Sequence, residues 1–182
     1  MLKIYNVLKT IVVVNALGFG EEVASWIRLM PGYETDFKLK GFLDTRTITN
    51  PELPLLGTPD EYTIQDSDRF VLALSDPAMK KQIGEDIRQR GGKFFNVIHP
   101  ENSISPTFLS GEGLIIAPYN SISTRVTFGD FVSIYGFCKI GHDVRIGNFC
   151  HIASHCSLDG FSNLSEGSNV LSFTKILKNT RL

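Results

Sequence analysis

The sequence predicts a mixed fold, in which a small α/β domain with a parallel sheet precedes a parallel β-helix of hexapeptide repeats. Two observations support this prediction. Strands and helices alternate over the first hundred residues, and a large apolar residue recurs at every sixth position from 116 to 182. We therefore expect two domains, an α/β domain over 1–100 and a β-helix domain over 101–182.

The first half contains short apolar runs, rich in β-branched residues, that are typical of buried strands. Four such strands are predicted, over 10–15, 38–44, 69–76 and 93–100. Val23 and Ile27 recur at helical spacing after the first strand, and Asp76-Pro77 opens a second helix that ends before Gly91. Strands and helices that alternate in this way indicate a Rossmann-like parallel sheet covered by helices.

The second half follows a six-residue rhythm that fits neither an α-helix nor a simple alternating strand. The residues at this spacing are all large and apolar: Ile116, Ile122, Phe128, Ile134, Ile140, Ile146, Ile152, Leu158, Leu164, Val170, Ile176 and Leu182. A hexapeptide repeat is the signature of a parallel β-helix, in which three short strands complete one coil. The residues from 116 to 182 would form about 3.7 coils.

A second series of small or β-branched residues lies four positions after the first, and it contains all three cysteines: Cys138, Cys150 and Cys156. Because free buried cysteines are generally inert, we expect these three to fill space in the core. Three glycines directly follow a large residue and are expected to supply the unusual backbone angles of a corner. They are Gly129, Gly141 and Gly147.

The composition excludes several classes of protein. The chain has 182 residues, of which 18 are basic and 19 acidic, and it has no basic stripe, so we expect no nucleic-acid partner. Three cysteines without a CxxC spacing argue against a disulfide framework and against a zinc site, and we expect no metal. The apolar run at 11–14 is too short for a signal peptide or a membrane helix, so we expect a cytoplasmic protein without a membrane partner.

Four short motifs occur in a fixed order along the chain: GFGEEV at 18–23, GFLD at 41–44, IHP at 98–100 and IGHDVRIGNFCHIA at 140–153. Together with the repeats, they resemble the sialic acid O-acetyltransferase type of sugar O-acyltransferase. The resemblance covers nearly the whole chain, and the family includes the N-acetyltransferases of nucleotide-linked 4-amino-sugars, such as that of the bacillosamine pathway. It implies a left-handed β-helix, a homotrimer with active sites between neighbouring β-helices, acetyl-CoA as acyl donor, and a role in surface polysaccharide biosynthesis.

The resemblance also assigns roles to residues of the β-helix. His142 stands where the family has its general base, which takes a proton from the attacking amine or hydroxyl. Asp143 matches the acidic residue that would hold the other ring nitrogen. His151 matches a donor near the thioester carbonyl, and Gly160 matches a glycine near the pantetheine of the cofactor. The alternative is that His142 is a solvated corner histidine beside a turn aspartate and that His151 is a second corner histidine bonded to backbone, and without the resemblance the residues favour this alternative for His142.

The resemblance implies that the first domain holds the nucleotide of the sugar, in the loops after the first two strands. The residues implied are Gly18, Phe19, Gly20, Asp44 and Thr45. Asp44 would accept hydrogen bonds, and the alternative is an aspartate that merely ends a strand. Glu21 in the first helical turn opposes a pyrophosphate at this helix N-terminus, which argues against an NAD-type site.

The leading hypothesis is an acetyltransferase that moves an acetyl group from acetyl-CoA to the amino group of a UDP- or dTDP-linked 4-amino-sugar. One alternative is O-acetylation of sialic acid or a related sugar. Another is a non-catalytic β-helix trimer that has lost coenzyme A binding. The second alternative arises because family members continue beyond the position of Leu182, into a glycine-rich stretch with a basic tail, and the β-helix domain is expected to be short there.

Overall fold

The structure, a computed structural model, describes residues 8–182, which form an α/β unit packed on a parallel β-helix. The mixed fold class expected from the sequence is confirmed. The α/β unit contains β1 (Lys9–Val14), α1 (Phe19–Leu29), β2 (Phe37–Leu43), β3 (Asp68–Leu72) and α2 (Pro77–Gln89). Its strands are parallel in the order β2-β1-β3, so the most apolar strand, β1, is central and is buried on both faces.

The two helices lie where the sequence predicts them. Val23 and Ile27 of α1 are fully buried against the sheet. The N-terminus of α2 is capped by Asp76, whose carboxylate accepts hydrogen bonds from the backbone N–H groups of Ala78 and Met79.

The β-helix contains fourteen two-residue strands within the described residues, and they form three parallel sheets, the faces of a triangular prism. The first face consists of β4 (Val97–Ile98), β7 (Ile115–Ile116), β10 (Ser133–Ile134), β13 (His151–Ile152) and β16 (Asn169–Val170). The second face consists of β5 (Ser103–Ile104), β8 (Ser121–Ile122), β11 (Lys139–Ile140), β14 (Ser157–Leu158) and β17 (Lys175–Ile176). The third face consists of β6 (Leu109–Ser110), β9 (Thr127–Phe128), β12 (Arg145–Ile146) and β15 (Asn163–Leu164). Each strand pairs with the strand one coil away, 18 residues along the chain, as Ser133 does with His151.

Residues 93–100 differ from the expectation of a fourth strand in the first sheet. Phe94 makes only an isolated bridge to Phe70 of β3, and Val97–Ile98 pairs instead with Ile115–Ile116 in the β-helix. A short apolar run suits either partner, so its pattern does not distinguish them. The β-helix therefore begins one coil before the hexapeptide series. Each coil adds one strand to each face, and two of the faces have five strands, so the β-helix is longer than the expected coil number of about 3.7.

The core of the β-helix consists of the residues that the six-residue rhythm singles out. The large residues from Ile116 to Ile176 point inwards and are nearly all fully buried. Cys138, Cys150 and Cys156 belong to the same core and are free thiols, as expected of space-filling residues.

The corners obtain their backbone angles from residues other than the expected glycines. Every sixth residue from 113 to 179 is left-handed, and most of these are not glycine; examples are Tyr119 (φ 66), Asp143 (φ 59) and Phe161 (φ 63). The three glycines expected to supply these angles do not adopt them: Gly129, Gly141 and Gly147. They permit close packing of coils instead, since a Cβ at Gly141 would lie 2.7 Å from the backbone nitrogen of Gly160.

Left-handed residues one coil apart stack on each other along each corner. At the corner between the first and second faces, four aromatic side chains form an exposed stack with ring centroids 4.9–5.2 Å apart: Tyr119, Phe137, His155 and Phe173. At the corner between the third and first faces, Phe131 and Phe149 are buried under α2. Arg88 of α2 lies over the Phe131 ring and forms ion pairs with Glu112 and Asp130.

The α/β unit covers the first face of the β-helix, and a buried lysine lies between them. Lys80 of α2 is only 1% exposed. Its Nζ donates to Ser133 Oγ at 2.8 Å and to the Cys150 carbonyl at 3.3 Å. Burial lowers the pKa of Lys80 from its ordinary 10.5 to about 7, because the charged form loses its hydration.

We predict that Lys80 makes the stability of the protein rise with pH. Above pH 7 the unfolded chain, with an ordinary lysine pKa of 10.5, binds the Lys80 proton more tightly than the folded protein does. The free energy of unfolding should therefore increase by up to about 1.4 kcal/mol per pH unit between pH 7 and 9. Urea unfolding at pH 7, 8 and 9 measures this slope, which Lys80→Met should abolish. The exposed neighbour Lys81→Met is the matched control, and equal slopes in all three proteins would contradict the prediction.

Candidate functional site

The corner between the second and third faces presents a histidine to solvent. Ile140 points into the core, so His142, two residues later, projects outwards with 49% of its side chain exposed. Its Nδ1 lies 2.7 Å from Asp143 Oδ2. A carboxylate only accepts hydrogen bonds, so Nδ1 carries the proton and the Nε2 of the neutral ring is free to accept one. The predicted base and its acidic neighbour are therefore in contact, in the orientation that base chemistry needs.

Asp143 is held in place from its other side by Arg125, which the sequence analysis did not identify. Arg125 Nε and Nη2 donate to the two carboxylate oxygens at 2.7 Å and 2.8 Å. These bonds, followed by the contact with His142, hold the pKa of Asp143 far below its ordinary value. Arg125 precedes Asp143 by one coil of 18 residues, and this spacing is the signal by which the pair could have been found.

Gly160 lies directly against the ring of His142. A Cβ at this position would come within 2.9 Å of His142 Nε2 and 3.0 Å of Cε1. The ring also contacts Phe161 edge-on, with centroids 5.0 Å apart. Gly160 therefore leaves room for the imidazole itself, and its predicted contact with a cofactor stays a prediction.

A polar groove of about 600 Å³ adjoins this corner along the third face. Thr127, Arg145, Asn163 and Arg181 line it in consecutive coils, and Arg125, Asp143 and Phe161 form its edge toward His142. Arg145 and Arg181 are exposed, and neither forms an ion pair with any acidic side chain between residues 8 and 182. The groove thus offers two unneutralised guanidinium groups beside the histidine, which suits a ligand that carries phosphate.

His151 lies apart from His142, on the first face of the β-helix and beneath the α/β unit. It is 6% exposed, and its Nδ1 is 2.9 Å from Ser133 Oγ. The rings of Phe19 and Tyr135 lie edge-on to it. Burial, and secondly the positive charge of Lys80, lower the pKa of His151 to about 4, so the ring is neutral at pH 7. Its predicted donation to a thioester carbonyl stays a prediction.

A second cavity, of about 360 Å³, lies at the carboxyl ends of the three sheet strands. Ligands of open α/β sheets bind at this edge. Asp44 and Thr45 line the cavity, but the Asp44 carboxylate is already occupied. It accepts hydrogen bonds from the Ala16 N–H and from the backbone and guanidinium of Arg46. The bonds from Arg46 lower the pKa of Asp44 to about 2. The exposed charged groups at the cavity are Arg46, which is ion-paired with Asp44, and Asp76, which caps α2.

The first loop of the α/β unit is shaped by close packing. A Cβ at Gly20 would overlap the backbone carbonyl of Asn15, whereas Gly18 is left-handed with φ 50 and precedes α1. Phe19 lines the cavity and also stacks on Tyr135 of the β-helix, with ring centroids 4.6 Å apart. The loop therefore joins the cavity to the first face of the β-helix.

Two negative findings apply to the structure over residues 8–182. No group of three or more histidine, cysteine, aspartate or glutamate side chains is placed to hold a metal ion. No helix among these residues is long and apolar enough to span a bilayer.

Comparisons with known proteins find similarity in structure only. No protein-family model and no curated protein sequence matches the chain. The acetyltransferase domain of PglB from Neisseria gonorrhoeae FA1090 superposes with a TM-score of 0.59 at 18% identity, over 95% of each chain. The same domain in complex with acetyl coenzyme A gives a TM-score of 0.51 at 18% identity, over 96% of this chain and 95% of that one.

PerB from Caulobacter crescentus, solved in complex with CoA and GDP-perosamine, gives a TM-score of 0.58 at 16% identity. That superposition covers 94% of this chain and 90% of PerB. These likenesses show that the chain has the fold of the PglB acetyltransferase domain and of PerB.

Proposed function

We propose that the protein is an acetyltransferase that moves an acetyl group from acetyl-CoA to the amino group of a nucleotide-linked amino-sugar. The observation that supports the proposal is the Arg125–Asp143–His142 chain, which engages Nδ1 of an exposed histidine and leaves its Nε2 available beside a basic groove. The solved structures with this fold include one with acetyl coenzyme A and one with CoA and GDP-perosamine. Two structures of the Caulobacter protein carry a replacement of one histidine, by asparagine or by alanine.

His142 is the general base in this proposal. Acetyl-CoA supplies the acetyl group as a thioester. His142 Nε2 accepts a proton from the sugar amine as the nitrogen adds to the acyl carbon, and the resulting imidazolium can return that proton to the sulfur when the C–S bond breaks. Asp143 stabilises the imidazolium, and Arg125 fixes the position of Asp143 by two hydrogen bonds.

The two cavities are proposed to divide the ligands between them. The groove with Arg145 and Arg181 suits the phosphates of the cofactor, and its edge at Asp143 and Phe161 brings that ligand to His142. The cavity of the α/β unit, with Arg46 at its mouth, suits the nucleotide of the sugar. A homotrimer, in which acceptor and donor meet between neighbouring copies, belongs to the same proposal.

The proposal also specifies the acceptor, which is a 4-amino-sugar linked to a particular nucleotide. The sequence analysis expected UDP or dTDP, whereas PerB was solved with a GDP-linked sugar. Release of free thiol from acetyl-CoA with UDP-, dTDP- and GDP-linked 4-amino-sugars identifies the acceptor. Mass and alkali lability of the product distinguish an amide from an ester. A protein that binds coenzyme A but releases no thiol with any acceptor would be a binding protein of the same fold.

We expect His142→Asn to lower kcat/KM by about 10²- to 10⁴-fold, because the proton acceptor is lost. His155→Gln provides a matched control, since His155 is also an exposed corner histidine of the β-helix but lies at a different corner. Thiol release measured at saturating acetyl-CoA, with size-exclusion chromatography of each variant, checks the expectation. Equal activity of His142→Asn and the wild type would exclude His142 as the base.

We expect Arg145→Ala and Arg181→Ala to weaken coenzyme A binding by roughly tenfold each, through lost charge-assisted hydrogen bonds to phosphate. The wild-type affinity should fall with added salt, and the double variant should show a weaker salt dependence. Calorimetric titration with coenzyme A, compared with dephospho-coenzyme A and UDP, identifies which phosphates the groove prefers. Lys38→Ala, at an exposed lysine of β2, is the control, and an unchanged affinity in the double variant would refute the assignment.

A further inference from the structure

A chain of three buried polar side chains runs from α2 into the first face of the β-helix. Lys80 Nζ lies 2.8 Å from Ser133 Oγ, and Ser133 Oγ lies 2.9 Å from His151 Nδ1. All three side chains belong to buried residues, and Ser133 and His151 are partners in adjacent coils. The general-base mechanism proposed above uses neither Lys80 nor Ser133, and an unexplained buried lysine calls for a role.

Lys80 sets the direction of the hydrogen bonds in this chain. An ammonium group has three donors and no acceptor, and the second partner of Lys80, the Cys150 carbonyl, only accepts. Ser133 Oγ therefore accepts from Lys80, which leaves its single hydrogen to be donated to His151 Nδ1. A neutral imidazole that accepts at Nδ1 carries its proton on Nε2.

The surroundings keep His151 in that neutral form. The ring is enclosed by Phe19, Tyr135 and Ser133. The positive charge of Lys80 lies on the far side of Ser133, to which Lys80 is hydrogen-bonded. Burial and that charge both oppose protonation, which agrees with the pKa of about 4. The imidazole is therefore neutral at pH 7, and it presents Nε2–H as a donor while Lys80 is charged.

We propose that Lys80 and Ser133 are positioning residues that hold His151 as the Nε2–H tautomer, so that this histidine presents a hydrogen-bond donor. An N–H donor of this kind, fixed before the reaction, can stabilise the oxyanion that forms on an acyl carbonyl. The role of His151 in stabilising an oxyanion rests on the proposed acetyl transfer, whereas the tautomer of His151 does not depend on that function.

The opposite polarity is the competing arrangement. A neutral Lys80 amine could accept from Ser133, and Ser133 could then accept from His151 Nδ1–H. At pH 6, below the pKa of about 7, Lys80 is mainly charged, so the two arrangements predict different tautomers. Lys80→Glu should impose the opposite polarity, because a carboxylate at this position accepts from Ser133.

The test is ¹⁵N NMR of the full chain with labelled histidine at pH 6, with the His151 resonances assigned by His151→Gln. We expect an Nε2–H pattern in the wild type and in Lys81→Glu, the exposed control, and a shift toward Nδ1–H in Lys80→Glu. Wild-type protein with Nδ1–H, or with both tautomers equally populated, would overturn the proposal even if Lys80→Glu fails to fold. A folded Lys80→Glu protein that keeps Nε2–H would overturn it as well.

Kinetics separate this proposal from the proposed function. If the protein transfers acetyl groups, Lys80→Glu should lower kcat on the order of 100-fold with little change in the KM of the nucleotide-sugar, and Ser133→Thr should retain the activity that Ser133→Ala loses. If the expected tautomers are found but no acetyl transfer is detected, the proposed function is wrong and the positioning role of Lys80 and Ser133 stands. If the expected tautomers are found but Lys80→Glu keeps the kcat of the wild type, the proposal that the His151 donor stabilises an oxyanion is wrong.

Discussion

The register between coils is the constraint on which the rest of the structure depends. Backbone hydrogen bonds join each strand to the one 18 residues further along the chain, so residues at that separation are direct neighbours. The same spacing places Arg125 beside Asp143, Ser133 beside His151, and each aromatic ring of the corner stacks on the next. A change of one residue in the chain between two such partners would move that pair out of register.

His142 and His151 lie nine residues apart in the β-helix, and the α/β unit covers only one of them. The second and third faces are left open, so His142 at their shared corner is exposed and can exchange a proton with a ligand. The first face is covered, so His151 loses its hydration and remains a neutral donor. An exposed base and a buried neutral donor are a useful combination for acyl transfer, and the two differ in exposure because the α/β unit covers only one face.

The sequence was sufficient to predict the β-helix, because a six-residue hydrophobic period has one common structural explanation, but it did not show that Val97–Ile98 belongs to it. It also led to His142 and Asp143, whose positions follow from the inward position of Ile140. The six-residue period did not show whether a given glycine supplies a left-handed φ or allows close packing between coils, because both roles favour glycine. Gly141 and Gly160 serve packing, whereas half of the twelve left-handed corner positions from 113 to 179 are Phe or Tyr. Arg125 could have been found from the coil length, but Lys80 could not, because its partners are 53 and 70 residues away in the chain.

The contacts between the α/β unit and the β-helix also bear on how the protein opens. A stack of coils that touch only their neighbours can fray from either end, one coil at a time. Here α2 contacts residues of several successive coils at once: Arg88 binds Glu112 and Asp130, Lys80 binds Ser133 and the Cys150 carbonyl, and Lys81 binds Glu166. Those coils are tied to one helix and should exchange their amide hydrogens together, as one cooperative unit. The coil that carries His142 lies within this unit, so the base is held on a part of the β-helix that resists fraying.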